Sequence, residues 1–226
     1  YDKHTTLIHG LFFENPSGWK NFNEVYESLV RHIIDPGKKY WTEDEIYASI
    51  LQHGELASSK ILSDYLSFRG IHNKWLDARK YLRTNEDNRN ATTIMVDQIF
   101  QNFFKTNSVL IIEGFIAQSV SGKHTVLGFD GSDTSAAEFT LSFDESEYRT
   151  ETIFWKDVLG VYDRHPNSEN SKVLRHITGD DFGKMPPSRV PVRHDAIARL
   201  MSKQRVTRVR SFIELDDPGT IITCGI

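Results

Sequence analysis

The chain has 226 residues and a formal net charge of −4, with 38% hydrophobic and 26% charged residues. These are ordinary values for a soluble globular protein long enough to bury a core, and they exclude the basic surplus of a nucleic-acid footprint. A single cysteine, Cys224, excludes a disulfide framework and a Cys-rich zinc site and fits a reducing, cytoplasmic setting. No apolar run nears the ~18 residues of a membrane span. The nine histidines are scattered, with no His-x-x-x-His pair beside an acidic partner, so no protein-held metal site is expected.

In chain order, Asn15-Pro16-Ser17-Gly18 marks a turn. Trp19 to Ile34 carries apolar residues at helical spacing, including Phe22, Val25, Tyr26, Leu29 and Ile33, and Asp35-Pro36-Gly37 ends it. The aromatic set Phe12, Phe13, Trp19, Phe22 and Tyr26 reads as core. Thr42 to Glu45 has the form of a capping box and opens a long helix that Gly70 closes, with a kink expected near His53-Gly54. Ile71 to Leu76 predicts a short strand, Asn85 to Asn90 a polar loop, and Ala91 to Phe104 a helix. Val109 to Ile112 is an apolar run of buried-strand type. Thr134 to Phe143 and Arg193 to Lys203 predict helices; Thr150 to Trp155, Val206 to Phe212 and Thr220 to Cys224 predict strands. The basic cluster from Lys203 to Arg210 is interleaved with β-formers and reads as a solvated strand face. Alternating helices and buried strands argue a three-layer α/β domain with a largely parallel sheet.

Two segments carry candidate chemistry. In Val109 to Ala136 a buried strand ends in Glu113-Gly114-Phe115, and a hairpin-like stretch follows. Gly128, Gly131, Ser132 and Asp133 then immediately precede a helix. Ligands of open α/β sheets sit at the carboxyl ends of strands, and helix N-termini attract anions. Asp133 is placed to organise cations around a transferring phosphoryl group; helix capping by Ser132 or Asp133 is the plainer reading of the bare pattern. In Ile153 to Asn167 a strand runs into Lys156-Asp157, then Gly160, Tyr162 and Pro166. A lysine at a strand end can neutralise phosphate and Tyr162 can stack on a base; a charged surface turn is the plainer alternative.

Taken together, in this order and spacing, the segments resemble the amino-acid kinase family, and within it the aspartate kinases. Val126-Leu127-Gly128-Phe129-Asp130-Gly131-Ser132-Asp133-Thr134-Ser135-Ala136 is similar to that family's Thr-Leu-Gly-Arg-Gly-Gly-Ser-Asp-Thr/Tyr-x-Ala. Trp155-Lys156-Asp157-Val158-Leu159-Gly160-Val161-Tyr162 through Pro166 is similar to its Trp-Thr/Lys-Asp-Val-x-Gly-Val-Tyr-x-x-Asp-Pro. Gly54-Glu55 to Ser58, Asp77-Ala78-Arg79, Arg83-Thr84, Ile111 to Ala117 and Arg210 to Thr220 agree with further family elements, so the resemblance covers residues 46 to 222.

The resemblance implies a three-layer α/β/α amino-acid kinase fold with a mainly parallel central sheet. Residues 1–125 would form a substrate-binding half and residues 126–226 a nucleotide-binding half, with no ACT regulatory domain in this chain. It implies ATP-dependent phosphorylation of the side-chain carboxylate of L-aspartate, the first step toward lysine, threonine and methionine. Asp133 would be catalytic; Glu55 would hold the substrate amino group, and Gly131 and Ser132 its carboxylate. Lys156, Asp157, Tyr162, Pro166 and Lys184 would form the nucleotide site. ATP and Mg²⁺ would be the cofactors, the metal held mostly by phosphates and water, and a homodimer is implied as well. Nucleic acid and membrane are not expected partners.

The chain also departs from the family pattern. The Lys-Phe-Gly-Gly-Thr-Ser strand that holds ATP phosphates has no counterpart in this sequence, and Tyr1 to Leu7 resembles the segment that follows the family's second strand. Phe129 replaces the family's substrate-carboxylate arginine and Asp130 a glycine; phenylalanine cannot form a bidentate clamp. The family's Phe-Gly-Ala-Lys-Val-Leu-His-Pro element is reduced to Phe182-Gly183-Lys184 and Val192-Arg193-His194-Asp195. Two alternatives therefore stand beside the aspartate kinase reading: a non-catalytic protein of this fold that binds a nucleotide or metabolite, and a kinase for another small carboxylate.

Overall fold

The structure, a computed structural model, describes residues 6–7, 10–11, 17–34, 41–105 and 109–225. The chain divides after Gly131 into two compact units. The first holds α1 (Ser17–Ile34), α2 (Glu43–Phe68), β1 (Asn73–Leu76), β2 (Leu82–Thr84), β3 (Thr93–Val96), β4 (Val109–Ile112), β5 (Ile116–Ser119) and β6 (His124–Val126). Helix α3 (Gly131–Leu141) opens on the last residue of that unit. The second unit continues with β7 (Glu151–Lys156), β8 (His176–Thr178), α4 (Gly179–Lys184), α5 (His194–Ser202), β9 (Val206–Ser211) and β10 (Thr220–Thr223).

Helix α2 starts where its sequence says it should. Thr42 Oγ1 accepts from the Glu45 backbone N–H at 3.2 Å, and Glu45 Oε2 accepts from the Thr42 N–H at 2.7 Å, a complete capping box. The helix runs through His53-Gly54 without interruption. It ends in a Schellman motif: Gly70 has φ +75°, its N–H donates to the Ser67 carbonyl, and the Ile71 N–H donates to the Leu66 carbonyl. Its inner face buries Ala48, Leu56, Ala57 and Ile61 and packs on β1, β4 and β6. Of the aromatic set expected in the core, Tyr26 is 40% exposed on α1: the α1 stripe buries Val25 instead, and the Tyr26 ring stays at the surface. Phe12 and Phe13, the turn at Asn15, the stop at Asp35-Pro36-Gly37, and Tyr1 to Thr5 lie outside the described residues, as do the side chains of Trp19 and Phe22.

The first unit carries two ladders, β1 parallel to β4, and the order β3-β2-β5-β6 with β2 and β5 parallel. The stretch Ala91 to Phe104 is not the expected helix. Its first part is β3, antiparallel to β2, followed by a 3₁₀ segment from Gln98 to Lys105. The β-branched run Thr92-Thr93-Ile94 and Val96 favours the pleated strand. Asp97 then turns the chain by accepting the Ile99 N–H at 3.0 Å. In the second unit the order is β7-β9-β10-β8, with β7–β9 and β10–β8 parallel and β9–β10 antiparallel. Its inner face places Phe154, Val209 and Ile222 against Ala137 of α3, Phe182 of α4 and Ala196, Ile197 and Leu200 of α5. Strands β2 and β8 and helix α4, each six residues or fewer, had no periodic signal in the sequence.

One buried carboxylate ties the first unit together. Glu113, 3% exposed at the end of β4, accepts from Ser59 Oγ of α2 at 2.6 Å and from the Ala78 N–H at 2.8 Å. The Trp75 indole N–H of β1 donates to the same Ser59 oxygen at 2.9 Å.

Two measurements check these features. Burial raises the Glu113 carboxyl above its ordinary 4.5. A raised folded-state value contributes stability below the unfolded pKa that is lost as pH climbs through the folded one. Glu113→Gln should therefore gain on the native chain in urea unfolding as pH climbs above 4.5. A difference flat with pH would show that Glu113 is not buried as described. In the second unit, Gly219 has φ +72°, and a Cβ there would collide with the Val209 carbonyl. Gly219→Ala should cost about 2–3 kcal/mol in the same assay, and a neutral effect would refute this turn geometry.

Candidate functional site

In the second unit the chemistry converges on Asp133. The alternation of β7 buries Thr152 and Phe154 and carries Lys156, two further on, to the same side at the strand's carboxyl end. Asp133 lies in the first turn of α3, 5% exposed. Lys156 Nζ donates to both of its oxygens, at 2.8 and 3.1 Å. The backbone N–H of Arg193, the N-cap of α5, donates to Asp133 Oδ2 at 3.1 Å. The carboxylate thus holds a cation and another element's N–H. A buried charge needs such partners, and here they hold the lysine at the edge of the sheet with its side chain 23% exposed.

The other residues singled out in this unit follow that strand in the chain, and among the described residues no hydrogen bond joins them to Asp133 or Lys156. Asp157 is exposed just past β7. Val161 is fully buried, with its N–H donating to Thr220 Oγ1 at 2.8 Å. Tyr162 pairs with Val173 in an antiparallel bridge, and Pro166 lies half-buried on the loop beyond. Lys184 stands apart: it is in the last turn of α4, 75% exposed, with its ammonium on Asp181 of the same helix at 3.1 Å. Among the described residues no hydrogen bond joins it to Asp133 or Lys156. Arg193, left by the sequence as a fragment of a weakened motif, is the residue that reaches Asp133; a backbone N–H leaves no trace in residue type. Its guanidinium is paired with Asp195 at 2.6 Å.

In the first unit Glu55 is half-buried on α2, and burial raises its carboxyl. Gly131 is glycine for a packing reason. A Cβ there would lie 2.6 Å from the Leu127 Cβ and 3.1 Å from the Phe115 ring. Phe115 itself has φ +70° and Asp130 φ +55°, conformations that cost on the order of 1–3 kcal/mol for a non-glycine residue. Phe129 is 89% exposed between them and the helix, and Ser132 is exposed on the first turn of α3. Glu113 was readable only as a strand end; a carboxylate closing an apolar run was the available signal of a buried polar hub.

No described residues form a group of three or more His, Cys, Asp or Glu arranged to hold a metal, and no described helix is long and apolar enough to cross a membrane. The profile of the amino acid kinase family matches residues 17–213. Among curated proteins, the chain is 33% identical over 181 residues to the chloroplastic bifunctional aspartokinase/homoserine dehydrogenase 2 of Arabidopsis thaliana, covering 75% of this chain and 19% of that protein. It is 30% identical over 130 residues to lysine-sensitive aspartokinase 3 of Escherichia coli, covering 55% and 28%. Among solved structures, E. coli aspartokinase III in complex with aspartate and ADP superposes with a TM-score of 0.78 at 21% identity over 92% of this chain and 46% of that one. The fold is that of the aspartate kinases, and the chain spans well under half the length of the curated relatives named here. With the family profile running from residue 17 to residue 213, this chain belongs to the amino acid kinase family.

Proposed function

We propose that this chain is a cytoplasmic aspartate kinase catalytic region. It would move the γ-phosphoryl group of ATP onto the side-chain carboxylate of L-aspartate, giving 4-phospho-L-aspartate and ADP. The observation that carries this reading is the buried Asp133 carboxylate holding Lys156 at the end of β7. The aspartokinase names of the relatives and the aspartate and ADP in the aspartokinase III structure support it.

Phosphoryl transfer asks the protein mainly for positioning and charge stabilisation. A carboxylate oxygen of aspartate bonds to the γ-phosphorus as the bond to the bridging oxygen breaks, and the electron pair leaves with ADP. Lys156, fixed by two bonds to Asp133, would meet the charge on the phosphates. Tyr162, Asp157 and Pro166 would shape the nucleotide site, and Lys184 would need to leave Asp181 to join it. Glu55 would accept the substrate ammonium, and Gly131 and Ser132 would face its carboxylate. A lone, lysine-paired Asp133 fits a Mg²⁺ that rides on the ATP phosphates and water, where it would neutralise phosphate charge. Phe129 favours one second reading, a kinase for another small carboxylate, because an exposed ring supplies no clamp for a dicarboxylate.

Isothermal titration with ATP–Mg²⁺, alone and then with aspartate, tests the proposal. ATP should bind, and aspartate should tighten it. A folded chain that binds neither would overturn it, and tightening by a different carboxylate in a substrate panel would select the second reading. Lys156→Met should lower turnover by about 10²–10³. Asp133→Asn should leave the lysine charge in place but unfixed, losing turnover with ATP affinity changed less than about tenfold. Unchanged turnover in either variant would remove that residue from the reaction.

A further inference from the structure

The segment Val192-Arg193-His194-Asp195 carries side chains that the proposed reaction does not use. Arg193 is nevertheless rooted at the centre of the second unit's site. Its backbone N–H and the Lys156 ammonium donate to the same atom, Asp133 Oδ2, both at 3.1 Å. A second cationic side chain therefore starts one carboxylate oxygen away from the lysine. Lys184, the other lysine expected there, is 75% exposed and tied to Asp181 of its own helix.

Asp195 decides where the guanidinium of that side chain lies. Arg193 Nε donates to Asp195 Oδ1 at 2.8 Å and Nη2 to Asp195 Oδ2 at 2.6 Å, a bidentate pair. Asp195 is itself anchored, since its Oδ1 also accepts the Ala196 N–H at 2.9 Å. The two side chains are 32% and 47% exposed, so the pair adds little to the stability of the fold. A phosphate group offers the same two-oxygen edge as a carboxylate. It can therefore take the place of Asp195 on the same two donors. The transferring phosphoryl group spreads its charge over several oxygens, which one lysine alone does not match.

We infer that the Arg193 guanidinium is a second phosphate-binding group beside Lys156, and that it exchanges Asp195 for a phosphate edge of the bound nucleotide. Asp195 is then an internal competitor of ATP. It acts in two ways, by holding the guanidinium and by its own negative charge, and only the first requires Arg193. The inference rests on the nucleotide reading of the Asp133–Lys156 site and adds to it a residue and the carboxylate that restrains it.

Isothermal titration of the whole chain with ATP–Mg²⁺ and with adenosine is the test, on the native chain, Arg193→Met, Asp195→Asn and the double variant. Arg193→Met keeps the peptide N–H that Asp133 accepts and removes the guanidinium. It should weaken ATP at least ~10-fold and leave adenosine unchanged. Arg193→Gln reads the same loss if Arg193→Met melts early. Asp195→Asn keeps an acceptor for the Ala196 N–H and should tighten ATP about threefold or more. Most of that gain should vanish in the double variant. If the native chain binds no ATP, the nucleotide reading fails and takes this inference with it. If the native chain and Arg193→Met bind ATP equally well, the reading stands and the inference falls. Equal losses for ATP and adenosine, or a gain from Asp195→Asn that survives without Arg193, also overturn it.

Discussion

The carboxylate of Asp133 has few places to go once it is buried. Removing a charge from water costs several kcal/mol unless partners replace the hydration, and three bonds do so here, two from Lys156 and one from the Arg193 N–H. Those partners come from the end of β7 and the start of α5, while Asp133 itself starts α3. The requirement to satisfy one side chain therefore fixes how a strand end and two helix starts meet in the second unit. The apolar cluster of Phe154, Phe182, Ile197, Leu200 and Val209 beneath them supplies most of the burial, but it is non-directional. The carboxylate sets the geometry that the apolar core leaves open.

The first unit solves a similar problem differently. Glu113 is as deeply buried as Asp133 but has no cation among its hydrogen-bond partners; a hydroxyl and a backbone N–H hold it. Burial accordingly pushes its carboxyl toward the protonated form, whereas nearby Asp77 is held low, against its own burial, by the Arg79 guanidinium. A charged hub suits a place that, in the proposed reaction, meets phosphate. A hub that tolerates neutrality suits a place that only has to join α2, β1 and β4.

What the sequence disclosed and what it hid divide along physical lines. The Thr42 capping box, the Gly70 stop and the apolar run Val109 to Ile112 were legible because each is a local pattern of residue types. Lys156 was legible as a residue at a strand end, and Asp133 as a residue at a helix start. Their bond was not, since 23 positions separate them. Ala91 to Phe104 was misread because its apolar spacing suits a helix, while pairing with β2 decides otherwise. Arg193 was invisible in its role because the group that acts is the peptide N–H every non-proline residue carries.

The parallel pairing of β7 with β9 has a kinetic side. Glu151 pairs with Val206 and Lys156 with Ser211, so the ladder closes a loop of about 55 residues, whereas the β5–β6 hairpin closes one of about six. Chain-closure entropy grows as (3/2)RT ln n, which makes the longer closure costlier by about 2 kcal/mol. That cost has to be met before any contact in the ladder rewards it. The strand that delivers the lysine is thus a late arrival in the folding of this chain, and the hairpin an early one.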